Sequence, residues 1–148
     1  MSVPTMYDCQ GALDDARSML EDLAQEMRDW YDNMPESLQN ADKGQRVDEA
    51  ATTLEDAVSE LEDAPDCASA VPTFELAPDI AKKRPSRAYR CGHATSIIQC
   101  IIDAVNDYAQ HSKNPPDPVI VEELLSWVET LDAAKDRADE VEFPGMYG

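Results

Sequence analysis

The chain has 148 residues, 43% of them hydrophobic and two of them Trp, which suffices for one packed domain or two small halves sharing a core and excludes global disorder. Its outlying property is charge: 31 acidic residues stand against 12 basic ones, for a formal net charge of −19 and an isoelectric point near 4.1. A field of that sign repels nucleic acid and anionic membrane surfaces and favours basic partners, although plain solubility accounts for acidity equally well.

The opening stretch MSVPTMYDCQ carries neither a basic n-region nor an apolar h-region, so it does not read as a secretory leader. The longest strongly apolar run, around Ile97 to Val105, is interrupted by Gln99 and Asp103 and falls short of a membrane span. These features predict a soluble protein of the cytoplasm. In that compartment Cys9, Cys67, Cys91 and Cys100 read as thiols rather than disulfides.

From Leu13 the apolar positions run Leu13, Ala16, Leu20, Leu23, Met27, Trp30 and Met34, alternating steps of three and four, which places all seven on one stripe of a helix. Pro35 disfavours a helical Met34, so the spacing predicts a helix that stops around Tyr31 to Asn33. The following PESLQ is expected to form a short helical turn that folds Leu38 back over Trp30 as a staple. Tyr31, off the stripe, is then left for a partner. After Gly44 a second stripe appears at Val47, Ala50, Leu54, Ala57 and Leu61, with Val58 beside it. Two such helices joined by a short connection predict an antiparallel hairpin over residues 1–63.

Residues 64–93 differ in kind. Pro65, Pro72, Pro78 and Pro85 preclude a long helix, and Lys82, Lys83, Arg84, Arg87 and Arg90 reverse the charge. Residues 1–66 hold 18 acids and 4 bases, residues 67–93 hold 2 and 5, and residues 94–148 hold 11 and 3. The middle is therefore a Pro-rich basic crossover between two acidic halves, and its cations are expected to pair with the protein's own carboxylates. A third helix is predicted from near Ala94 to His111, its wide apolar face made by Ile97, Ile98, Ile101, Ile102, Val105 and Tyr108. In NPPDPVIVEELL, Asp117 suits a cap, Pro118 the first helical position, and Glu122 and Glu123 the positive end of the dipole. Val121, Leu124, Val128, Leu131 and Ala138 continue a fourth stripe flanked by Leu125 and Trp127, completing a second hairpin over 94–142; residues 143–148 form an apolar tail. The fold class is thus all-α: two helical hairpins in a four-helix, bundle-like unit.

Little in the chain suggests catalysis. There is no Gly-rich phosphate loop, nucleophile elbow or HExxH pattern, and the abundance of carboxylates makes no pair distinctive. Cys91-x-His93 followed by Cys100 supplies soft ligands, but with no CxxC pair the simpler reading is buried thiols and a histidine at a helix start. His111, near Lys113 and Asn114, reads as a C-terminal capping residue. A non-enzyme without metal or cofactor is expected. The candidate partner surface consists of Asp14, Asp15, Glu21, Asp22, Glu26, Asp29 and Tyr31 on the first helix and Asp48, Glu49, Glu55 and Asp56 on the second.

The segment EMRDWYDNMPESLQNADKGQRVDEAATTLEDAVSELE resembles an element recurrent in uncharacterised acidic helical proteins of bacteriophages and mobile elements. The matching features are the turn from Trp30 to Gln39, then the helix pattern Gly44-x-x-Val47-x-Glu49-Ala50; the ending VEFPGMYG is similar too. The resemblance covers the first hairpin and the tail, and implies a phage origin and a non-enzymatic role. The function expected is a phage-encoded protein-binding factor that presents carboxylates, as DNA presents phosphates, to the basic surface of a host nucleic-acid-handling or defence protein. The alternative is a structural or assembly protein that oligomerises through its third helix and tail.

Overall fold

The computed structural model describes residues 6–61, 63–76, 86–111 and 116–143, and among these it is all-α apart from one short ribbon. Helix α1 spans Cys9–Asp32, four residues longer at its start than the apolar stripe from Leu13, because the Asp8 carboxylate caps it by accepting from the Gly11 amide at 2.7 Å. The apolar stripe lies where its spacing predicts: Cys9, Leu13, Ala16, Leu20, Leu23 and Met27 are buried, with Trp30 and Met34 half-buried at its end. Asn33 closes the helix as it donates from its side chain to the Asp29 carbonyl at 2.8 Å.

The short helix α2, Glu36–Gln39, forms as expected, but the Leu38 staple does not. Leu38 is 48% exposed. The turn is held by polar bonds and a close backbone approach: the Gln39 side chain donates to the Tyr31 carbonyl at 2.8 Å, and the Leu38 amide donates to the Pro35 carbonyl at 2.8 Å. Helix α3 spans Asp42–Glu60, so Gly44 lies inside its first turn. Gly44 is buried under α2, and a Cβ there would lie 2.2 Å from the Leu38 carbonyl oxygen and 2.6 Å from the Gln39 Cα. The predicted positions Val47, Ala50, Leu54, Ala57 and Leu61 are all buried, joined by Ala51.

Beyond α3 the chain makes a 3₁₀ turn at Asp66–Ala70 and then an unexpected strand. Strand β1, Met6–Tyr7, pairs antiparallel with strand β2, Phe74–Glu75, so that Met6 faces Glu75 and Tyr7 faces Phe74. Two residues cannot display a period, which is why the ribbon left no trace in the sequence pattern.

Helix α4, Arg87–His111, starts seven residues before the predicted Ala94. Ser86, immediately after Pro85, accepts the Tyr89 amide on its hydroxyl at 3.0 Å, so Arg87, Tyr89 and Arg90 are helical and the connector is correspondingly shorter. Ile97, Ile98, Ile101, Ile102 and Val105 are buried as expected, with Tyr108 half-buried. Helix α5, Pro118–Asp139, has Asp117 as its cap, the carboxylate accepting from the Val119 amide at 2.9 Å, with Pro118 in the first turn. No acid lies in that first turn: Glu122 and Glu123 fall in the second, too far along to serve the dipole as predicted. Trp127 belongs to the buried stripe rather than its flank, together with Leu124, Val128, Leu131, Ala134 and Ala138.

The four long helices close a ring in which α1 packs on α3 and α4, while α5 packs on α4 and α3. Every neighbouring pair is antiparallel. Arg17 early in α1 reaches the Leu61 carbonyl just past α3, whereas Arg28 late in α1 reaches Asp48 early in α3. Arg90 at the start of α4 meets Glu26 late in α1, and the Cys91 thiol meets the Ala138 carbonyl at the end of α5. Consequently α3 and α4 point the same way on a diagonal, and the connector between them must run the length of the bundle.

Gly44→Ala is expected to lower stability by about 1–3 kcal/mol, since the added methyl meets backbone rather than a movable side chain. Gly92→Ala, where nothing lies within 4 Å of an added Cβ, is expected to raise stability by roughly 0.5–1 kcal/mol through helix propensity. Urea unfolding of the two variants checks the opposite signs.

Candidate acidic partner surface

The period that buries the core also sets the carboxylates. Asp15, Asp22 and Asp29 on α1 repeat every seven residues in step with Leu13, Leu20 and Met27, and Glu49 and Asp56 on α3 keep step with Val47 and Leu54. Each repeat advances about 10.5 Å along a helix. Glu21, Asp22, Asp29, Glu49 and Asp56 are exposed, while Asp15 is half-buried.

Asp29 accepts a hydrogen bond from the Gln25 side chain at 2.8 Å, and the remaining acidic candidates are ion-paired within the protein. Arg28 binds Asp48 at 2.6 Å, Glu55 at 2.8 Å and the Thr52 hydroxyl at 3.3 Å, tying α1 to α3. Arg17 bonds the Leu61 carbonyl at 2.9 Å, Asp14 at 3.0 Å and Asp63 at 3.2 Å. Glu26 is gripped by both guanidiniums from the start of α4: Arg90 holds its two oxygens, and Arg87 approaches at 3.3 Å. The expectation that the basic cluster pairs internally therefore holds for Arg87 and Arg90; Lys82, Lys83 and Arg84 lie outside the described residues. Arg87 also sits 5.1 Å and Lys43 5.7 Å from the centroid of the Trp30 ring, covering the aromatic end of the α1 stripe with cations. Tyr31 is half-buried and packs against the core, so it is less free than its off-stripe position suggested.

The pairing shows in the proton equilibria. The hydrogen bond from Arg90 holds the Glu26 carboxyl below its ordinary 4.5, against the raising effect of burial. The guanidinium of Arg28 is raised by its hydrogen bonds to Glu55 and Asp48, and that of Arg90 by Glu26. Burial pushes the Cys9 and Cys91 thiols up to about 11, with Asp8 and Asp139 adding to the effect. Cys67 is also raised, first by burial and then by Glu123. Thiols held protonated make poor nucleophiles and poor metal ligands. His93 is half-buried on α4, and no group of three or more metal-binding side chains comes together among the described residues. No helix among the described residues is long and apolar enough to cross a membrane. The side chain of His111 and residues 144–148 lie outside the described part.

Sequence reasoning thus placed the acids on the correct helices but could not separate presented from engaged ones. Glu26, Asp48 and Glu55 are distinguished only by arginines 20 to 64 positions away. No protein-family model, curated protein or solved structure matches the chain.

Glu26→Gln is expected to lower stability by roughly 1 kcal/mol at neutral pH, because two guanidiniums lose their anion. With the folded-state pKa below 4.5, the wild-type advantage is complete above that pH and is lost as acidification passes through the folded-state value. Thermal melts of the two proteins from pH 7 to pH 3 should therefore converge at the acid end. Added salt should raise the melting temperature of both by screening the −19 self-repulsion.

Proposed function

We propose that the protein is a phage-encoded acidic binding factor that occupies the basic nucleic-acid surface of a host nucleic-acid-handling or defence protein in the host cytoplasm. The observation that carries this reading is the in-phase carboxylate array on α1 and α3, beside which Arg17 and Arg28 are already bound to other acids. Along α1, Asp15, Glu21, Asp22, Asp29 and Asp32 span about 26 Å, a mean spacing of about 6 Å, against about 3.4 Å per phosphate on one DNA strand. The density is of the right order for a channel built to hold a strand. Packed helices also hold these charges in place without the ordering cost that a disordered acidic tail incurs on binding. The array acts by charge and position, so no metal, cofactor or reaction enters the proposal, and a surface this negative has no direct use for nucleic acid or anionic membrane.

One observation favours a second reading, a structural or assembly protein. Val119 is 70% and Met6 50% exposed, and self-association would cover them. The wide α4 face first considered for that purpose is consumed by this chain's own bundle, and Phe143 packs on the same core.

Affinity capture from host lysate with mass-spectrometric identification is expected to return a nucleic-acid-binding protein that duplex DNA displaces. Its affinity should fall steeply between about 50 and 200 mM salt, as for phosphate-reading surfaces. The quadruple change Glu21→Gln, Asp22→Asn, Glu49→Gln and Asp56→Asn should weaken capture without unfolding the bundle. Salt-insensitive binding, or a partner that DNA does not displace, refutes the mimicry. A large monodisperse assembly in light scattering supports the second reading instead.

A further inference from the structure

Helix α5 carries a second apolar row that the core does not use. Pro118, Val121 and Leu125 line a groove of about 1030 Å³ at the start of the helix, and Asp117, Glu122 and Glu129 stand along it. Val121 and Leu125 are half-buried, whereas the stripe one step around the helix, Leu124, Val128 and Leu131, faces inward. The spacing Pro118, Val121, Leu125 matches one helical face over about two turns, and Glu122 and Glu129 lie one heptad apart beside it. No lysine or arginine lines the groove among the described residues.

We propose that this groove binds a basic amphipathic helix of a partner protein. The partner's apolar side chains at i, i+3 or i+4, and i+7 would seat over Val121 and Leu125, and its lysines or arginines would meet Glu122 and Glu129. Charge selects this occupant over a second copy of the chain. Two α5 faces brought together would set Glu122 and Glu129 against their own equivalents on bodies of net −19, with no cation among the groove's described residues to offset them. The proposal rests on the reading that the partner is basic, and it is independent of DNA mimicry. It gives the protein two separate contacts, a charged array for electrostatic attraction and an apolar seat for residence, and a partner engaging both would gain by their linkage.

The test is a titration of the ¹⁵N-labelled full-length chain with a synthetic Lys/Leu amphipathic helical peptide, followed by chemical shifts and fluorescence. Saturable binding with shifts concentrated at residues 116–129 is expected. Leu125→Asp should weaken it about tenfold or more, the cost of losing one buried aliphatic contact. Glu122→Gln with Glu129→Gln should weaken it about two- to fivefold per charge. Ser126→Arg, at an exposed position lining the groove, supplies a blocking variant that spares the core and should weaken binding, with helical circular dichroism confirming that each variant folds. Shifts confined to α1 and α3, together with α5 variants that bind normally, would overturn the groove proposal and leave the function proposed above standing. Saturable binding at α5 with no DNA-displaceable partner would support the groove and remove the mimicry. A concentration-dependent dimer that Leu125→Asp dissolves would show the occupant to be a second copy, and the proposal would fail.

Discussion

The constraint on which the molecule depends is the meshing of apolar rows spaced alternately three and four residues apart. On α1 the row from Cys9 to Met27 is buried between α3 and α4, so this helix is the shared wall of the two halves. A row of that period stays on one side of a helix only if the neighbours run nearly along it, which accounts for long antiparallel contacts instead of steep crossings. Small alanines are buried on α1 and α3, at Ala16, Ala50, Ala51 and Ala57, and larger isoleucines on α4.

Charge is arranged around that frame. A net −19 opposes compaction, and few cations are available to relieve it. The structure uses several of them as bridges between helices: Arg17 and Arg28 across α1 and α3, Arg87 and Arg90 from α4 to α1, and Arg137 from α5 to Glu60 on α3. Each partly exposed pair contributes little by itself. Their joint effect is positional, because every bridge fixes which point of one helix meets which point of the next. The same economy leaves Glu21, Asp22, Glu49 and Asp56 exposed on the outer faces of α1 and α3.

The crossover follows from the topology. With α3 and α4 pointing the same way across the diagonal, the chain must return from one end of the bundle to the other, which a tight turn cannot do. The prolines that break helical structure between Pro65 and Pro85 suit that task, and the β1–β2 ribbon pins part of the return to the residues just before α1. The reversal of charge in the same region now has a structural account at its far end, where Arg87 and Arg90 open α4 directly against Glu26.

The sequence by itself determined the four stripes, the Asp117–Pro118 start, the stop before Pro35 and the excess of acid, because each is a local matter of spacing, backbone sterics or composition. Tertiary structure decided what depends on residues distant in the chain. Leu38 is exposed because α2 seats its backbone on Gly44, leaving the side chain outside; α4 begins at Arg87 because Ser86 caps it and Glu26, some sixty residues earlier, receives its cations. Trp127 turns inward because α5 lies against two neighbours and needs a broader stripe than one seam requires. Which carboxylates remain for a partner was settled in the same way: the period puts acids on the outer faces, and only the packing of one helix on another brings an arginine to some of them and not to others.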